Sequence, residues 1–194
     1  MFMKIRLLPL LLGGILVLNG CSAVTGTGST EETHDTMVTY QALPLPDLSV
    51  SIPDGYQETA SQFYEKFYIK DDATIIITED NESGAVTPRN YSINALTQYQ
   101  NMTHSLEMLG DTVLTDGTMP VQILEFTYTL EEDSSPMSTM ISYMTDSQTM
   151  YIITCKCNAD TYASHRDEFF AVIKSQHPDK DWVGAAERAG ETYP

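Results

Sequence analysis

The sequence predicts an α+β fold: an antiparallel sheet of about six strands flanked by two main helices. Three observations carry this reading. Short apolar runs with two-residue alternation recur between tight turns over much of the chain. Apolar spacing of helical period occurs in only two stretches, one after Ser92 and one after Asp160. Most strands are joined by turns too short for parallel crossovers, which need a dozen or more residues.

The elements follow in chain order. Leu48, Val50 and Ile52 alternate with Ser49 and Ser51, as in a half-buried strand, and Pro53-Asp54-Gly55 supplies the turn that closes it. Phe63 to Lys70 reads as a strand, Asp71-Asp72 as a tight turn and Thr74 to Glu79 as the partner strand. The run Ile75-Ile76-Ile77 predicts burial on both faces of this hairpin. Asp80 to Arg89 is a polar loop containing Gly84 and Pro88. Ser92 is expected to cap a helix reaching Leu109, with Ile93, Leu96, Tyr99, Thr103, Leu106 and Leu109 on its apolar side and Gly110 as its stop.

Three strands should come next. In Pro120 to Leu130 the residues Leu124, Phe126, Tyr128 and Leu130 alternate inward. Thr139 to Thr145 follows the Glu131–Pro136 loop, and Met150 to Cys157 follows the turn Asp146-Ser147-Gln148. A second helix is expected over Thr161 to Ser175, capped by Asp160, with Tyr162, Phe169, Val172 and Ile173 turned to the core. No internal repeat is visible.

The first twenty residues have another character. Lys4 and Arg6 precede an apolar stretch from Leu7 to Leu18, interrupted only by Pro9, Gly13 and Gly14. Twelve residues suit the apolar region of an export signal and fall short of the roughly 20 that span a bilayer. Leu18-Asn19-Gly20-Cys21 then resembles the lipobox of bacterial lipoproteins, with a small residue before a thiol that can accept a diacylglyceryl group. The expectation is a signal peptide over residues 1–20 and lipidation at Cys21. Two acyl chains would anchor it durably, since each buried methylene contributes about 0.8 kcal/mol. Residues 21–44 are then the lipidated cysteine and a flexible tether, about 25 Å in root-mean-square reach. Residues 45–178 form a single α+β domain, and residues 179–194 a polar C-terminal tail.

Cleavage would remove two of the ten basic residues and none of the 27 acidic ones, leaving a net charge of −19. Such a surface repels phosphate backbones and anionic headgroups, so it argues against nucleic acid as a partner and against a basic membrane patch. Cys155 and Cys157 lie two apart in an expected strand, about 6.5–7 Å apart along it, where a disulfide between them would be strained. Both read as small apolar core residues.

The turn Leu48-Ser-Val-Ser-Ile-Pro-Asp-Gly-Tyr56, the hairpin, the mid-domain helix and the late strand Met150-Tyr-Ile-Ile-Thr-Cys155 leading to Val172-Ile-Lys-Ser175 together resemble the PsbP family. Relatives of that family include DcrB-like bacterial lipoproteins. The resemblance covers about residues 45–178. It implies an antiparallel sheet sandwiched by helices and a non-enzymatic, partner-binding role. It carries over no functional residue, and the basic contacts of the photosystem members have no counterpart on this acidic chain.

Motifs of catalysis are missing: no Gly-x-Ser-x-Gly, Walker loop, Gly-x-Gly-x-x-Gly or His-Glu-x-x-His occurs. His104 and Glu107, three apart on the expected first helix, could share a face, but two ligands do not make a metal site. His34, His165 and His177 lack ligand spacing. Asp179-Lys-Asp181-Trp-Val-Gly184 opens like a calcium loop, yet Val183 takes a ligand position and Gly190 stands where the bidentate Glu belongs. Acidic groups at Asp71-Asp72, Glu79-Asp80-Glu82 and Glu131-Glu132-Asp133 fit turns and solvated loops. Met102, Met108, Met119, Met137, Met140, Met144 and Met150 read as adaptable core filling. Tyr64 and Tyr68, opposite Phe63 and Phe67, read as buried under a helix, the alternative being an exposed binding platform.

No catalytic residue, cofactor or metal is therefore expected, and Cys21 is the one assigned site. The expected role is a membrane-anchored extracytoplasmic lipoprotein, a non-catalytic binding or assembly module for another envelope protein. The alternative is a small-ligand or cation-binding lipoprotein associated with transport. The lipid would hold it on the cell membrane, or on the outer membrane of a Gram-negative cell.

Overall fold

The computed structural model describes residues 48–115 and 119–178. The expected export signal, Cys21, the expected tether with His34 and the C-terminal segment with its calcium-like loop lie outside them. Seven strands form one antiparallel sheet: β2 (Gln57–Glu58), β3 (Lys66–Lys70), β4 (Ala73–Asp80), β5 (Ser105–Leu114), β6 (Val121–Thr129), β7 (Met137–Thr145) and β8 (Met150–Asn158). Their spatial order is β2-β3-β4-β8-β7-β6-β5. A two-stranded ladder joins β1 (Leu48–Ser49) to β9 (His177–Pro178). The helices are α1 (Pro88–Met102) and α2 (Tyr162–Lys174).

The connectivity follows from local turns and one long crossover. Asp71 takes a left-handed φ of 53° in the β3–β4 turn, and Ser147 one of 75° in the β7–β8 turn. Gly55, at φ 92°, makes the turn expected after Pro53. Helix α1 carries the chain from β4 to the far edge of the sheet. The meander β5-β6-β7-β8 then returns until β8 pairs with β4 in the middle.

Strand alternation divides the core in two. Ile75, Ile77, Ile123, Met140, Met144, Ile153, Cys155 and Cys157 pack with Phe169, Val172 and Ile173 of α2. Leu124, Phe126, Tyr128, Ile141, Tyr143 and Ile152 face α1, where Ala95, Leu96 and Tyr99 cover them. Tyr99 meets the Phe126 ring edge-on at 4.8 Å. Ile75, Ile76 and Ile77 are all buried, as the apolar run predicts, because β4 lies between two strands with cover on both faces.

The α+β antiparallel class, the hairpin and the inward set of α2 agree with the sequence. Several boundaries do not. The first helix begins at Pro88 and ends at Met102; it does not run from Ser92 to Leu109. Thr87 is the N-cap, its hydroxyl accepting from the Asn90 N–H at 3.3 Å, and Pro88 sits in the first turn where its missing N–H costs nothing. Ser92 is instead fully buried, its hydroxyl donating to the Arg89 carbonyl. Thr103 turns extended, and the His104 N–H donates to the Thr129 carbonyl at 2.8 Å, which draws the chain into β5. Ile93, expected inward, is 49% exposed.

Smaller corrections concern the ends. Only Leu48 and Ser49 of the opening segment pair as a strand, although Val50 and Ile52 still pack on the core. β3 starts at Lys66, so Phe63 and Tyr64 precede it. The N-cap position of α2 is Thr161 and not Asp160; the Thr161 hydroxyl donates to Asp72 at 2.6 Å. Seven strands, with the additional short pair, replace the expected six chiefly because Ser105–Leu114, whose apolar spacing also fits a helix, pairs with β6 as a strand.

Candidate functional site

Both faces of the sheet carry a helix, so its edges are where backbone groups remain open to another chain. β2 is a poor edge, with two residues. β5 is ten residues long, pairs among the described residues on one side only, with β6, and is broken by a bulge between Met108 and Gly110. Five of the six exposed large apolar side chains among the described residues lie on β5 or on α1: Met108, Leu109 and Val113 on the strand, Ile93 and Met102 on the helix.

Register fixes where the β5 side chains go. Leu106 pairs with Tyr128, Met108 with Phe126, Asp111 with Leu124 and Val113 with Gln122, so these point to the α1 face. Ser105, Glu107, Gly110 and Thr112 oppose Thr129, Thr127, Glu125 and Ile123, on the α2 face. Asp111 is clamped by Arg89 of α1 at 2.6 Å through both carboxylate oxygens and also accepts from the Gln122 amide at 2.7 Å. The Arg89 hydrogen bonds hold its carboxyl below the usual carboxylate range. Gly110 leaves room for Glu125: a Cβ there would stand 3.2 Å from Glu125 Oε1. Buried Glu125 in turn accepts two hydrogen bonds from Arg166, both at 2.8 Å, and one from the Tyr162 hydroxyl at 2.7 Å.

A second polar group joins α2 to the β3–β4 turn. The His165 ring lies with Nε2 3.6 Å from Asp72 Oδ1 and Nδ1 3.6 Å from Glu168 Oε2, stacked on Phe169. Glu168 accepts from Lys70 at 2.8 Å and from the Tyr56 hydroxyl at 3.2 Å. Burial works to raise both carboxyls. The Thr161 hydroxyl and the Asn158 N–H more than offset it at Asp72, as Lys70 does at Glu168, and both end below their ordinary range. Lys70 and the His165 ring both face these two carboxylates. This arrangement fastens a helix to a hairpin.

The residues singled out in the sequence scatter. His104 and Glu107 do not share a helix face: Glu107 is on β5 and His104 precedes it, both exposed. Among the described residues no group of three or more His, Cys, Asp or Glu is disposed to hold a metal ion. Cys155 and Cys157 are buried and unbridged, and burial raises both thiols, Cys157 to about 11. Met140, Met144 and Met150 fill the core, whereas Met102 and Met108 are exposed. The aromatic row is mixed: Tyr64 is buried, Phe63 is 57% exposed, and Phe67 and Tyr68 lie between. Leu106 and Leu109 also fit a helical period, which conceals the open edge in the sequence. The two-residue alternation of Leu106 and Met108 with Ser105 and Glu107 was its available signal.

No protein-family model matches the chain, and neither does any curated protein. Solved structures are similar in fold. Cyanobacterial PsbP (CyanoP) from Synechocystis sp. PCC 6803 is 9% identical with a TM-score of 0.52, over 71% of this chain and 96% of that one. LpqN, involved in cell envelope biogenesis of Mycobacterium tuberculosis, is 12% identical with a TM-score of 0.51, over 66% of this chain and 81% of that one. The Ran-binding protein Mog1p of Saccharomyces cerevisiae is 11% identical with a TM-score of 0.48, over 70% and 92% of the two chains. The fold is therefore PsbP-like, as the turn, hairpin and late-strand motifs implied. At such identities the likeness is one of fold alone.

Proposed function

We propose that the chain is a DcrB-like lipoprotein: an extracytoplasmic, non-catalytic binding module, anchored by lipid on Cys21 and joined by a tether to a domain that meets another envelope protein. The observation that carries the binding role is the open β5 edge with exposed Met108, Leu109 and Val113 beside Ile93 of α1. Support for the anchor is the order of Lys4 and Arg6, the apolar stretch Leu7 to Leu18 and Leu-Asn-Gly-Cys21. The work described for LpqN, cell envelope biogenesis, fits a module of this kind.

Labelled fatty acid is expected on the full chain and not on Cys21→Ala. Short-range cross-linking on living cells is expected to give one discrete adduct that requires both Cys21 and the folded domain. Label on the Cys21→Ala chain contradicts the anchor. Adducts of the same mixed neighbours with and without the folded domain contradict the binding role.

A further inference from the structure

The edge of β5 has a chemistry that selects among occupants. Of its two acidic side chains, Asp111 is held by Arg89, while Glu107 has no hydrogen-bond or ion-pair partner among the described residues. The strand Ser-Leu-Glu-Met-Leu-Gly-Asp-Thr-Val-Leu contains no Lys, Arg or Pro. Lysine and proline commonly guard a natural edge; here a bulge and two carboxylates stand in their place. Glu107 opposes a second copy, because pairing β5 with β5 adds acid to acid on a chain of net charge −17. The flanks of the chain do not match the edge either. Residues 22–47 hold no Lys or Arg, and residues 179–194 hold one of each against four acids. A basic strand is attracted by Glu107.

The two faces of β5 differ in a way that sets the pattern of that strand. On the α1 face, Met108 and Val113 are exposed by 39% and 51% next to Ile93 of the helix. On the α2 face, Ser105, Glu107 and Thr112 are polar and exposed. Strand addition places the guest's alternate side chains beside these two rows. We propose that β5 takes an extended segment of the partner protein, its side chains alternating between apolar residues toward α1 and Lys or Arg toward α2. Apolar guest side chains remove Met108 and Val113 from water, and the guest's cations answer Glu107 while main-chain hydrogen bonds supply the rest of the affinity.

This deepens the proposed binding role and rests on it. The test uses the full chain and two ten-residue peptides, one alternating Lys and Val and the other alternating Glu and Val, with amide hydrogen exchange as readout. The Lys-Val peptide is expected to slow exchange along β5 by about tenfold or more at saturation, and the Glu-Val peptide to leave it unchanged. Glu107→Lys, an exposed substitution, should weaken the first peptide and favour the second. Equal protection by both peptides, protection confined to other elements, or concentration-dependent dimers that protect β5 without peptide would each overturn the proposal. If the cellular adduct forms but neither peptide protects β5, the edge assignment fails while the binding role stands. If no adduct forms, the role itself fails.

Discussion

Gly84 decides whether two loops can meet. Its carbonyl accepts from the Thr145 hydroxyl at 2.8 Å, and a Cβ at this position would fall onto the backbone carbonyl of Gln148. Backbone cannot step aside as a flexible side chain can. Gly84→Ala is therefore expected to lower unfolding stability by about 1–3 kcal/mol, read as a lower urea midpoint at unchanged slope. The carboxyls of Asp72 and Glu168 make a second prediction. Both are held below their ordinary values, so they stabilise the fold above those values, and the contribution fades as acid takes the pH down through the folded ones. A Asp72→Asn, Glu168→Gln chain should show a flatter fall of stability between about pH 5 and pH 2 in urea titrations. A third concerns the thiols: with Cys157 raised to about 11 by burial and Cys155 fully buried, both should resist iodoacetamide near pH 8 until urea is added.

The boundary between α1 and β5 shows what the sequence carried and what it concealed. Thr87 caps the helix through the Asn90 N–H, so Thr87→Ala should cost about 1 kcal/mol, measured by thermal or urea unfolding. The late strands and α2 were legible because their patterns had one period: Tyr162, Phe169, Val172 and Ile173 match a helix and nothing else. Ser105 to Gly110 matched two. Leu106 and Leu109 extend the spacing of Leu96 and Tyr99, and Gly110 looks like a helix stop, whereas the strand that forms is fixed by pairing with Thr127 to Thr129. That pairing is a long-range fact which local periodicity does not contain. The candidate site was hidden by the same ambiguity, since an edge exists only once the strand does. The Asp72, His165 and Glu168 grouping was equally illegible: Asp72 is far from the other two in sequence, and only the packing of α2 on the hairpin unites them.

In the molecule as a whole, the order β2-β3-β4-β8-β7-β6-β5 puts the hairpin and the meander together at β4 and β8 and sends β5 to the rim. Helices occupy both faces, so the apolar rows of the central strands are already covered. What remains for a partner is the rim, with its backbone groups and its exposed Met108, Leu109 and Val113. A net charge of −17 opposes self-association, and under the proposal a basic partner would be drawn to it at a rate that falls as salt rises. The most direct measurement is site-resolved photo-cross-linking in living cells, with the photoreactive residue at Leu109 or Val113 of β5 or at exposed Ala163 of α2. The account predicts one discrete protein adduct from the β5 positions and none from Ala163; adducts from Ala163 with β5 silent would contradict it.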